Sequence, residues 1–360
     1  MPRPARARTT LQPSLSGPAG QSLPPGARAR IDCKPWAPVH CISFSPDGRI
    51  LAWAGIDGIH LWNVASRKRL ESPTGHAFLA GHVGAVETLA YSPDGRLLAS
   101  GGEDGTVRLW DPATGKAVAK FVGLLTDEGR GGPFNLYPST AKECARIDRH
   151  PSSIVGVAFS TDGKRLVAMH DLPLARVWDV GTGKLIREIA QAEGGVAFSP
   201  EGKHLAVGGI EGRVRILDAV TYRKLREFEV NGPDGDLAFS PDGKLLATSG
   251  GTYPPALLRG CLWTVGTGKP VPMTMTGMAG RVIRAVAFSP DGKLLAMANR
   301  EGIRLCDIHS GKEIAHLDGH GERGIDSIAF SPDGETLASG NTDASILLWN
   351  IPRLQKPEDL

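Results

Sequence analysis

One short phrase recurs seven times along this chain, and it leaves few folds open. It reads Phe44-Ser45-Pro46-Asp47-Gly48 at its first occurrence. It returns at Tyr91–Gly95, Phe159–Gly163, Phe198–Gly202, Phe239–Gly243, Phe288–Gly292 and Phe330–Gly334, with Thr161 and Glu201 as its two inner variations. The aromatic ends an apolar strand. Proline then pre-sets φ for a turn, aspartate bonds the backbone just ahead, and glycine takes the left-handed conformation. A second apolar strand follows at once, as in Arg96–Ser100. Each phrase is therefore the corner of a β-hairpin.

Consecutive aromatic positions lie 47, 68, 39, 41, 49 and 42 residues apart. Most of these sit near the roughly 40–45-residue period of a four-stranded propeller blade. Behind the second strand comes another turn, clearest at Asp104-Gly105, a strong hairpin signal, and a third strand in which Val107 and Leu109 alternate with polar neighbours. Thr-Gly-Lys turns at 114–116, 182–184 and 267–269 lead to a fourth, more polar strand. Four strands per unit and seven units predict an all-β fold, a seven-bladed β-propeller of four-stranded antiparallel blades. The last unit supplies only three strands, so Ala27–Asp32 is expected to complete it and remove the open edges of a linear array.

The third strands end in Leu-Trp62-Asn63, Leu-Trp110-Asp111, Val-Trp178-Asp179 and Leu-Trp349-Asn350, and Gly81-His82 and Gly319-His320 open two repeats. In these residues the chain resembles the WD-repeat β-propellers, in a bacterial-type, seven-repeat form, over about residues 28–351. The resemblance implies a hydrogen-bonded quartet inside a blade, made of a His, a Ser or Thr, a turn Asp and the Trp. Blade two offers His82, Ser100, Asp104 and Trp110, and the last blade His320, Ser339, Asp343 and Trp349. Blade three has His150, Asp171 and Trp178 but Ala168 where the hydroxyl belongs, and blade one has Asp57 and Trp62 but Trp53 there. A Ser/His/Asp set also suggests a catalytic triad. Here the serine lies within a strand rather than at a strained elbow, and the set repeats in register with tryptophan, so a structural network is the better reading.

The net charge of +3 is misleading as a sum. Five arginines and no acid lie in residues 1–30, and without them the remainder sums to −2. A near-neutral body predicts no nucleic-acid partner. Five scattered cysteines without a CxxC pair predict neither disulfides nor a zinc site, and suit a reducing, cytoplasmic setting. No apolar run is long enough for a signal or a membrane span. Residues 1–25 are expected to form a disordered tail, 26–352 the propeller and 353–360 a short polar tail. An insertion is expected at 126–148 and a protruding loop near Tyr253.

Propellers of the resembled family usually bind partners where the loops entering the innermost strands meet the turns between second and third strands. Aligning the repeats places His40, Glu87, Arg284 and Asp326 in the first set, and Glu103, His170 and Arg300 in the second. The expected face is acidic on blades two and seven and basic on blade six. The chain is thus expected to be a monomeric, non-catalytic scaffold for proteins or peptides, with no cofactor, metal or membrane partner. Alternatives are a regulatory propeller acting with a separate kinase-like partner, and an enzyme with a metal at the central channel.

Overall fold

The computed structural model describes residues 23–33, 38–70, 78–122, 152–230, 235–250, 262–273, 282–319 and 324–351. Most of the N-terminal tail, the insertion at 126–148, the C-terminal tail, the loop around Tyr253, and His150 and His320 lie outside them.

Seven antiparallel sheets are present, one for each turn phrase. Blade two runs Val86–Tyr91, Leu98–Gly102, Thr106–Asp111 and Lys116–Val122 from the inside outward. Blades three, four, five and six repeat that order in sequence. Blade one differs at its rim, where two short segments, Lys68–Arg69 and Phe78–Leu79, pair along the third strand in place of one outer strand. Blade five has an outer strand of only two residues, Lys269–Pro270. Among the described residues, no helix is long and apolar enough to cross a membrane.

Closure runs through the N-terminal strand. Ala27–Asp32 pairs antiparallel with Ser345–Asn350 and becomes the outermost strand of blade seven. Ala29 and Ile31 turn inward and pack with Val39, Trp53 and Trp62 of blade one and Ile346 and Leu348 of blade seven. One strand therefore joins two blades that are far apart in sequence. Burying an isoleucine side chain of this kind is worth about 1.5–3 kcal/mol.

The turn phrase also builds a ring on one face of the disc. In six of the seven copies the serine hydroxyl bonds the turn acid two residues on, as at Ser45–Asp47 (2.6 Å), and receives the backbone N–H five residues on, as at Ile50 (2.9 Å). The turn glycine has φ near +70° and abuts the preceding blade's turn, with Gly48 against Pro332, Gly95 against Pro46 and Gly292 against Pro241. Blade four departs from the pattern. Its Glu201 is one methylene longer than aspartate and turns to His204 (3.0 Å) instead of Ser199.

Small residues let neighbouring blades close. A Cβ on Gly101 would come within 2.3 Å of Ile154 in blade three, and one on Gly340 within 2.5 Å of Val39 in blade one. Each outer strand from blade two onward, blade five excepted, carries a bulge at the same register. Val118, Ile186 and Leu225 are the unpaired residues in blades two, three and four.

Candidate interaction face at the channel mouth

In blade two the quartet residues meet. The Trp110 indole N–H donates to Ser100 Oγ (2.8 Å), and Ser100 lies 2.7 Å from His82 Nε2. His82 Nδ1 is 2.9 Å from Asp104, which also receives the Thr106 hydroxyl (2.7 Å) and the Val83 backbone N–H (3.1 Å). Trp110 has no acceptor, so its N–H must use the serine lone pair and the serine proton must point to His82. His82 then carries its proton on Nδ1, toward Asp104. Burial holds the His82 pKa below the usual histidine range, which keeps the ring neutral as this chain of bonds requires. Ser100 is fully buried.

The other blades use the same positions differently. In blade seven Trp349 donates to Ser339 Oγ (2.9 Å), while Asp343 receives the Ser345 hydroxyl (2.5 Å). In blade three Ser152 donates to Asp171 (2.5 Å), and Trp178 stacks on Phe121 of blade two at 5.7 Å. Blade one holds a histidine that the repeat alignment misses, because it comes from the third strand rather than from the entry loop. His60 Nε2 sits 3.1 Å from Asp57, and its ring stacks on Trp53 at 5.0 Å with Arg69 over the opposite aromatic. Trp53, in the hydroxyl position, thus supplies a stacking surface. In blade five Trp263 donates to Thr248 (3.2 Å), which lies as far after its turn aromatic as Ser100 and Ser339 do after theirs.

Around the central channel, the residue three before the turn aromatic links one blade to the next in blades one, two, five and seven. Thr88 Oγ1 accepts from the Val157 N–H (3.2 Å), Ser327 Oγ from Ile42 (3.0 Å) and Cys41 Sγ from Leu89 (3.3 Å). Asp236 occupies this position in blade five, bonded by the backbone of Leu237 and of Val286 in blade six. It is the one ionisable carboxyl in the series. Asp236 is exposed, and desolvation by the protein around its carboxyl raises its pKa to about 6. The same desolvation raises the Cys41 thiol to about 11.

The seven residues expected at the partner face divide into three groups. His40 Nδ1 lies 3.2 Å from Glu87 across the seam of blades one and two, and the Glu87 hydrogen bond raises its pKa. Arg284 pairs with Asp326 across the seam of blades six and seven. Glu103 is exposed but folds over its own blade, receiving the Ala85 N–H (2.9 Å), and Arg300 is exposed beside Gly324. The acidic and basic sides expected from alignment are thereby replaced by pairs that straddle seams, because opposite charges on adjoining blades are close enough to neutralise one another. His170 does not reach the face. It ends a second strand whose last five residues are all buried, is itself only 1 % exposed, and has its pKa pulled down to about 4, chiefly by burial and then by Arg176. Among the described residues, no group of three or more His, Cys, Asp or Glu is arranged to hold a metal ion.

The class defined by this geometry is a seven-bladed β-propeller of antiparallel blades, and two segments of the chain match a repeat family of that kind. Residues 74–111 and 311–350 match the family described as WD domain, G-beta repeat. These segments are blades two and seven, the two in which the sequence offers a complete quartet. The chain is also similar to Periodic tryptophan protein 2 of Arabidopsis thaliana, at 28 % identity over 206 residues. That match covers 51 % of this chain and 22 % of the plant protein's length. A plant relative gives no support to a bacterial-type form of the repeat.

Proposed function

We propose that this protein is a non-catalytic scaffold that holds partner proteins or peptides at the channel mouth, through His40, Glu87, Glu103, Arg284, Arg300 and Asp326. One observation carries the reading. The fully described Ser/His/Asp set is spent internally, since Ser100 is buried and engaged by Trp110 and His82 at once. A nucleophile needs an open approach and a free base, and this serine has neither. The structural role of the quartets in blades two and seven belongs to the same proposal.

The mouth suits recognition by complementary charge. Two seam-crossing pairs set a fixed pattern, and exposed Glu103 and Arg300 stand beside them. Such patterns govern orientation and association rate more than affinity. The test is quantitative affinity purification with wild-type protein and a Glu103→Lys/Arg300→Glu variant. A set of co-purifying proteins depleted about tenfold or more in the variant is expected. An identical set, captured equally by both, would refute the assignment of this face.

A further inference from the structure

A second surface lies on the opposite face, where blades four and five meet. A groove of about 800 Å³ runs between them, lined by His204, Ile216, Leu225 and Arg226 of blade four and by Val265 and Gly266 of blade five, among others. Two departures from the repeat, at Glu201 and at the outer strand of blade five, open it beside an exposed leucine. Glu201 leaves its own turn for His204 and lies along Gly243 of blade five. Leu225 is the bulged residue of its outer strand and is 54 % exposed, a large apolar side chain without cover. Blade five's outer strand is too short to close the far side, and a Cβ built on Gly266 meets nothing within 4 Å.

The charge around the groove is one-sided. Its two acids are engaged, Glu201 by His204 and Asp242 by Ser240 and Lys244. Among the described residues, Lys203 and Arg226 have no acid within ion-pair distance, and the Arg226 guanidinium reaches only the Thr267 carbonyl (3.4 Å). An apolar floor between two uncompensated cations is complementary to one kind of occupant. We infer that this groove takes an extended acidic segment of a partner protein, with an aliphatic side chain against Leu225, Ile216 and Val265 and flanking carboxylates on Lys203 and Arg226. The surface is separate from the channel mouth and does not depend on its assignment.

The probe is a fluorescein-labelled 12-residue synthetic peptide with one central leucine flanked by glutamates, followed by fluorescence anisotropy with the full chain. Two control peptides replace glutamate by lysine or leucine by glycine. Saturable binding is expected for the acidic peptide, weakened about tenfold or more by Lys203→Glu/Arg226→Glu and by Gly266→Tyr, which fills the groove. Binding should also weaken with added salt. Leu225→Glu, an exposed position, gives a second blocking variant if Gly266→Tyr fails to fold, and Glu103→Lys/Arg300→Glu should bind as wild type does. No binding at about 1 mM peptide, equal binding of the lysine control, or full binding by a folded groove variant would overturn the inference. So would a concentration-dependent dimer abolished by Gly266→Tyr, which would give the groove to a second copy of the chain.

Discussion

Acid should weaken this protein's fold through His170 before it reaches the carboxylates. An unfolded histidine titrates near 6.5, and burial pulls His170 down to about 4. Between those values the unfolded chain binds a proton that the folded chain refuses. Stability is therefore fully present above pH 6.5 and is lost as pH falls toward 4. The difference amounts to about 2 kcal/mol at pH 5 and about 3 kcal/mol at pH 4, with almost none at pH 7.5. The aspartates of the turn phrases, such as Asp47 and Asp94, have lowered pKa values and act only below about pH 4, whereas His82, whose pKa burial also lowers, acts in the same sense as His170. His40 and Asp236 have raised pKa values and work in the opposite sense, favouring the folded state as pH falls. His170→Leu removes the titrating group and leaves those two untouched. Urea unfolding of both proteins at pH 7.5 and 5 gives a double difference. The wild type should lose about 2 kcal/mol more than the variant on acidification. An equal loss in both proteins, or a His170 ring resonance titrating near 6.5, would refute this account of its burial.

Ser100→Ala should cost about 1–3 kcal/mol, because His82 and Trp110 both lose their buried partner, and urea midpoints would show it. Gly340→Val should destabilise by about 1–3 kcal/mol, since the new side chain must displace Val39 across the seam of blades seven and one; an unchanged melting temperature would contradict the closeness of that contact. Deleting residues 26–34 should lower Tm by about 10 °C or more by opening blade seven, as calorimetry can check.

The ring was legible in the sequence because its turn chemistry repeats. Phe-Ser-Pro-Asp-Gly states a hairpin corner in local terms, and seven copies state the number of blades. The His82, Ser100, Asp104 and Trp110 set was legible for the same reason, since all four occupy fixed offsets. What escaped was set by packing between units. His60 enters blade one's cluster from a third strand, where alignment does not look for it. Asp236 was passed over because its importance comes from the next blade's backbone. His170 was placed at the surface because alignment gives a residue's height along a strand, not the depth of the seam beside it. The charge pattern at the mouth was read blade by blade, whereas Arg284 and Asp326, like His40 and Glu87, meet between blades.

The strand that completes blade seven is made long before the strand it pairs with. Ala27 pairs with Trp349, about 320 residues later, so at about 5–20 residues per second the growing chain carries a strand with no partner for roughly 15 s to a minute. During that interval Ile31 lacks its blade-seven partners Ile346 and Leu348, and the edge around it is a template for any other unpaired strand. The device that closes the finished ring is thus the one that leaves its nascent form most exposed to mispairing, and the burden of avoiding it falls on whatever attends the chain as it leaves the ribosome.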